Sequence, residues 1–447
     1  MINKGNLKEA ILQLNADKNN AVSFVFNDAQ LKEQGPLANC VFTIKDNYAD
    51  LNVIESASSR FLSNFRPSYQ STILKLLNEA GATCVARTNL DEFGMGGSGE
   101  YSCNGLIKNP LNSNYLVGGS SSGAAATFSK NISFAIGSDT GDSVRKPASN
   151  IGQVGFKPSY GAISRYGLSA FASSLDTVAY FTHNVQDAIT LSSVLFKQDL
   201  KHDLTSVDLS FNADSVIETK PHKIAYLDCF DKLDISVADA YKKLLNKLEK
   251  MNIELVKISI NEKLLQAIDT VYKVIAFSES SSNLANLVGV EFGNRITGNS
   301  WEETFNLSRT EGIGKMVQSR MILGSYFLED NNQIKYFVKA KKMRRYLSDY
   351  FTNVHKSADI FIYPASNMSA PLIGKSYEPS YMDYILTNSN LTGNPSLTLK
   401  LGIDKNNNLP FNLAIDGEIY KDCKMLSHAL FIERVLEGEK KWIMIEK

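Results

Sequence analysis

Two runs of small hydroxyl residues hold the most reactive-looking chemistry in the chain. They are Gly118-Gly119-Ser120-Ser121-Ser122-Gly123 and Gly137-Ser138-Asp139-Thr140-Gly141-Asp142-Ser143. A serine in one run can activate a serine in the other only if the chain between them doubles back. The alanine-rich residues 124–128 read as a helix capped by one of Ser120, Ser121 or Ser122, and residues 132–136 read as a short apolar strand. A helix of about 10 residues rises roughly 15 Å, and a strand of about five residues covers roughly 17 Å. The two legs nearly cancel, so the loop at Ser143 is expected beside Ser120. Consecutive backbone N–H groups of the loop Gly137 to Ser143, which includes Thr140, Gly141 and Asp142, would then form a nest for developing negative charge, as an oxyanion hole does in acyl transfer. A phosphate cradle would use the same geometry, but neither glycine-rich run ends in Gly-Lys-Ser/Thr, which argues against nucleotide binding.

Such serines need a base. The five histidines are His183, His202, His222, His355 and His428, and none lies near the serine-rich segment in sequence. A histidine triad can still assemble in three dimensions. A lysine is easier to propose, provided burial or nearby positive charge keeps its amine neutral. Lys45 ends the apolar stretch 39–45, and in open α/β sheets the carboxyl ends of strands face the ligand crevice.

The elements that must hold these groups follow a βαβ rhythm. A helix at 72–80 is stopped by Gly81, and a strand follows at 83–86. Residues 88–100 form a glycine-rich loop of the kind that lets backbone approach a ligand. An amphipathic helix is read at 5–16. After a polar stretch at 191–220, helical spacing recurs at 237–251, 264–276, 317–327 and 333–350. The basic run Lys339, Lys341, Lys342, Arg344 and Arg345 reads as a solvated helix face. Strand character returns at 359–365, a helical stretch lies within 381–397, strands follow at 396–401 and 411–415, and a last helix spans 425–436. One large α/β unit with a helical insertion is the economical architecture.

Composition narrows the function classes. With 447 residues and 43% hydrophobic content the chain buries a large core. Its 47 basic and 47 acidic residues give no global field toward nucleic acid or a membrane. Cys40, Cys84, Cys103, Cys229 and Cys423 lack metal-site spacing and suit a reduced, cytoplasmic protein. The first residues lack the apolar core of a signal peptide, and no apolar run reaches membrane-spanning length.

At these residues the chain resembles the amidase signature family. Thr43-Ile44-Lys45-Asp46-Asn47, the run 118–123 and the run 137–148 match its three hallmark segments in order. The resemblance implies a mixed central sheet covered by helices on both faces, in a single domain over 1–447 with a helical variable region at about 191–350. It also implies a Ser-cis-Ser-Lys triad with Ser143 as nucleophile, Ser120 as bridge and Lys45 as base. Residues 87–96, 319–324 and 381–387 resemble more specifically the glutaminase components of glutamyl-tRNA(Gln) amidotransferases. On that likeness Arg320 would hold the α-carboxylate of glutamine and Asp383 its α-amino group, one cation and one anion for a free amino acid.

The implied role is a glutaminase that supplies ammonia to B and C subunits, with Glu-tRNA(Gln) held mainly by the partner. ATP and magnesium would act at the partner, with no cofactor or metal in this chain. Three departures stand out. Asp142 replaces the usual glycine before the nucleophile, where its charge could repel an oxyanion if it faced the site. The spacing from Ser120 to Ser143 is one residue short, which leaves Ser121 or Ser122 open as the bridge. The segment Pro410-Phe411-Asn412-Leu413-Ala414 departs from the usual C-terminal strand. A stand-alone amidase of other carboxamides and a catalytically weakened structural subunit are the alternative readings.

Overall fold

Apolar side chains on both faces of a strand require cover on both faces of a sheet. In the computed structural model, which describes residues 2–51 and 53–438, every residue of β2 (Val41–Lys45) and of β4 (Phe134–Asp139) is buried. Among the described residues the remaining strands are β1 (Val22–Val25), β3 (Thr83–Thr88), β5 (Val154–Lys157), β6 (Thr177–Thr182), β7 (Lys223–Leu227), β8 (Glu254–Ile258), β9 (Ile360–Pro364), β10 (Ser396–Ile403) and β11 (Pro410–Asp416). They form one sheet in the order β1-β3-β2-β4-β6-β5-β10-β11-β9-β7-β8. β2 runs parallel to β3 and β4, and β7 runs parallel to β8 and β9. The other pairings are antiparallel. The fold is therefore α/β with a mixed sheet.

Alternation along the strands sorts the core into two layers. Phe42, Ile44, Phe134, Ile136, Val178 and Tyr180 enter the larger one. Val41, Ala135, Ala179 and Phe181 enter the smaller, which also takes Ala124, Ala125, Val144 and Ala148. Small residues fill that second layer because a short helix lies close to the sheet. A Cβ on Gly123 would sit 2.3 Å from the Ala21 carbonyl oxygen.

The doubling back between the serine runs is present, but its legs differ from the sequence reading. The helix spans only Ser122–Thr127, and the strand is Phe134–Asp139 rather than 132–136. The Thr127 hydroxyl folds back onto the Gly123 and Ala124 carbonyls, and Phe128 leaves the helix with extended backbone to stack on His183. The strand runs on past 136 because Gly137, Ser138 and Asp139 continue the ladder with β6.

The helices read at 237–251, 264–276, 317–327 and 333–350 lie at Ile235–Lys250, Glu262–Asn283, Lys315–Leu328 and, after a π-turn at Ile334–Val338, Lys339–Ser357. The same region also contributes β7 and β8 to the sheet and a further helix, Trp301–Gly312. The helical stretch read within 381–397 consists of two 3-10 turns and the five-residue helix Asn388–Thr392, and β10 follows. The basic face is not wholly solvated either. Arg344 donates to the Leu391 and Ser174 carbonyls and the Ser174 hydroxyl, whereas Arg345 pairs with Asp349 in the open. Among the described residues no helix is long and apolar enough to cross a membrane.

Candidate active site

Lys45 closes β2 and is fully buried. Its Nζ lies 2.8 Å from Ser120 Oγ and 2.9 Å from Ser138 Oγ. Burial lowers its pKa to about 7, against the opposing pull of Asp91, Asp139 and Asp176. A substantial neutral fraction is thus available at physiological pH, as a general base requires.

Ser120 follows a cis peptide bond from Gly119. The glycine there is sterically required, since a Cβ would sit 2.1 Å from Asp91 Oδ2. The Asp91 carboxylate gathers the glycine-rich loop by accepting the N–H groups of Gly97, Gly99 and Tyr101. Ser121 is committed elsewhere: its Oγ accepts from Ser138 N–H at 3.3 Å and donates to the Ser138 carbonyl at 3.1 Å. Ser122 Oγ faces the Ser120 carbonyl. Of the three serines, Ser120 is the one in hydrogen-bonding reach of Lys45.

Ser143 sits two residues before the helix Arg145–Ile151, 7% exposed. Ser121 N–H donates to its carbonyl at 3.1 Å, which ties the two serine runs together. The hydroxyls of Ser120 and Ser143 are not hydrogen-bonded to each other in this structure. The N–H groups of Val144 and Arg145 turn back to Asp139 Oδ2. Those of Thr140, Gly141, Asp142 and Ser143 meet no acceptor among the described residues, which leaves them for an external oxygen. Thr140 is fixed through its hydroxyl, which donates to Asp176 at 2.7 Å.

The loop is pinned by a buried ion pair, Arg145–Asp139 at 2.9 Å. Arg145 also donates to the carbonyls of Gly141 and Leu386 and to the side-chain oxygens of Ser389, Ser396 and Asn390. Burial alone would raise the pKa of Asp139, but the Arg145 guanidinium and the Val144 N–H hold it at about 2. A second buried pair, Arg87–Asp46 at 2.6 Å, joins the carboxyl ends of β3 and β2 beside Lys45.

Asp142 is half-buried and makes no side-chain hydrogen bond or ion pair among the described residues. Burial pushes its carboxyl up to about 7; Lys146 opposes the rise, and Asp139 and Asp383 add to it. At pH 7 such a carboxyl is about half neutral, and in that form it does not repel an oxyanion as the ionised form would. Gly141 leaves room for the Tyr272 ring, whose hydroxyl would lie 3.2 Å from an added Cβ.

Arg320 and Asp383 are half-buried and are not paired with each other. Arg320 donates to the Gly96 carbonyl at 3.2 Å and lies over the Phe277 ring. Asp383 accepts the Ser380 N–H at 2.8 Å in a capping box. Their fields reach the nucleophile loop: Asp383 acts on Asp142, and Arg320 on Tyr272. Sequence reasoning did not single out Ser138, Asn47, Asp91 or Tyr272. The first three lie inside the motif segments, and Tyr272 carries no local signal. Among the described residues no cluster of side chains is arranged to hold a metal ion.

Comparison with known proteins places this geometry among relatives. The model of the Amidase family matches residues 17–426. The A subunit of glutamyl-tRNA(Gln) amidotransferase from Mycoplasma genitalium is 34% identical over 417 residues, covering 90% of this chain and 87% of that protein. Its counterpart of the same name from Prochlorococcus marinus is 37% identical, covering 96% and 90%. The crystal structure of the Thermotoga maritima glutamyl-tRNA(Gln) amidotransferase A subunit superposes with a TM-score of 0.79 at 31% identity, over 95% of this chain and 90% of that one. Peptide amidase from Stenotrophomonas maltophilia shares the fold, with a TM-score of 0.80 at 21% identity, over 97% and 92%.

Proposed function

The chain belongs to the amidase family, and we propose that it hydrolyses the side-chain amide of glutamine and passes the ammonia to a partner subunit that converts Glu-tRNA(Gln) to Gln-tRNA(Gln). The observation that carries the reading is the buried Lys45 amine 2.8 Å from Ser120, on a loop tied to the free N–H groups around Ser143. The family relatives named above supply the substrate and the assembly.

In this reading neutral Lys45 takes the proton of Ser120 as Ser120 takes that of Ser143. Ser143 Oγ attacks the carboxamide carbon, and the oxyanion settles on the N–H groups of the Thr140–Ser143 loop, each such donor being worth about 10²–10³ in rate. The proton returns through Ser120 to the leaving nitrogen, the C–N bond breaks, and ammonia departs. Water then gives a proton to the relay and releases glutamate from the acyl-enzyme. Arg320 keeps guanidinium N–H groups free of protein acceptors for the α-carboxylate, and Asp383 has its second oxygen for the α-ammonium. The relay uses only side chains of this protein, so ATP, magnesium and most of the tRNA contact are assigned to the partner, with the B and C subunits completing the assembly.

Ammonia release from glutamine and from a panel of simple amides, by the chain alone and with B and C subunits and Glu-tRNA(Gln), tests the reading. Release from glutamine that rises with the partners is expected. Turnover of other amides with glutamine ignored would make the chain a stand-alone amidase, and silence throughout would make it a structural component.

A further inference from the structure

Ser138 has no step in the relay just described, yet it presents Lys45 with two oxygens where Ser120 presents one. Lys45 Nζ lies 2.9 Å from Ser138 Oγ and 3.5 Å from its carbonyl. A neutral primary amine has two N–H donors and one lone pair. A serine hydroxyl accepts twice and donates once, and Asn47 Nδ2 already donates to Ser138 Oγ at 3.3 Å. With Asn47 and Lys45 both donating, the acceptor sites of that hydroxyl are filled. Both amine N–H groups are then spent on Ser138, which leaves the lone pair for Ser120.

Ser138 itself cannot swing away. It is 5% exposed, pairs with Val178 across the β4–β6 ladder, and is clasped through its N–H and carbonyl by Ser121 Oγ. We propose that Ser138 is a positioning residue that turns the lone pair of Lys45 onto Ser120, with Asn47 setting the direction of the Ser138 hydroxyl. This rests on the Lys45–Ser120–Ser143 relay proposed above, but not on glutamine being the substrate.

The test follows covalent modification of Ser143 by a fluorophosphonate, read by intact mass on the full chain as a function of pH. The Ser143 oxygen displaces fluoride, and its proton leaves through the relay. The charged groups that act on Lys45 are Asp91, Asp139 and Asp176, and all three stay in place in the variants. The wild-type rate rises with pH to a plateau. In Ser138→Ala the plateau falls about tenfold or more and the midpoint moves to lower pH, because the lost acceptor favoured the ammonium form of Lys45. Ser138→Thr keeps the oxygen and restores both features. Asn47→Ala, which leaves β4 untouched, lowers the plateau as well, so the inference stays testable if Ser138→Ala does not fold.

A wild-type plateau in Ser138→Ala or in Asn47→Ala would overturn the inference. A lowered plateau with an unmoved midpoint in Ser138→Ala would reduce Ser138 to a structural residue. Absence of any adduct on wild-type Ser143 would sink the relay and the inference together. Normal labelling without glutamine turnover would sink only the substrate assignment.

Discussion

Arg145 and Arg320 flank the same site and are built in opposite ways. Arg145 is fully buried and spends its guanidinium on Asp139, two carbonyls, two hydroxyls and an asparagine. Arg320 is half-buried and gives one hydrogen bond, to Gly96. An arginine with every donor occupied holds a loop in place and has nothing left for a ligand; one with donors to spare can meet a carboxylate. The same contrast separates the two sides of the site. On the Lys45 side the lysine pKa and the direction of one lone pair must be fixed, and the groups are buried on central strands. On the Arg320 and Asp383 side the groups must stay accessible, and each makes one hydrogen bond to the protein.

The sharpest way to break that contrast is at the reactive centre. Ser143→Ala should lower glutamine-dependent ammonia release on the order of 10⁴-fold or more, with an unchanged melting temperature, and full activity would remove the nucleophile assignment. Next comes the buried arginine. Arg145→Met leaves Asp139 buried without its partner and should cost about 3–5 kcal/mol of stability by denaturant unfolding; a loss well below that would mean the loop does not depend on the pair. The pair also sets a pH window. Because the folded pKa of Asp139 is depressed to about 2 from 3.8, its contribution is fully present above about pH 4 and is lost as pH falls toward 2. Asp139→Asn should flatten that part of the stability profile.

A smaller effect is expected at the accessible arginine. Arg320→Ala removes a charge-assisted contact worth about 1.5–3 kcal/mol, so KM for glutamine should rise roughly ten-fold or more with kcat and folding changed little. A variant that unfolds instead would show Arg320 to be a second structural clamp. The smallest change is expected at Arg345, whose exposed pair with Asp349 should contribute less than about 0.5 kcal/mol to stability.

What could be read from the sequence follows the same division. Gly119 and Gly123 are forced, because no Cβ fits beside Asp91 or the Ala21 carbonyl, and such positions leave a recognisable spelling. The serine runs and Lys45 were legible for that reason, as was the return of the chain between them. The length of the intervening helix was not, because its end depends on a Thr127 back-bond and on Phe128 finding His183. β7 and β8 were missed because they lie toward one edge of the sheet, where β8 is largely half-exposed and lacks a buried apolar run. Ser138 and Asn47 lie within the motif segments, yet their role depends on which oxygen faces which donor across the sheet, and spacing carries no trace of that. Arg344 reads as one more cation on a wet face, since its acceptors at Ser174 and Leu391 are distant in sequence.

The most direct test of the account is the pH dependence of kcat/KM for ammonia release from glutamine by the assembled enzyme, wild type beside Lys45→Arg. Neutral Lys45 as base predicts a rate that rises to a plateau with a midpoint near 7, and Lys45→Arg, charged throughout, held at background. A flat wild-type profile between about pH 5.5 and 9, or a Lys45→Arg variant that retains the rising limb, would contradict it.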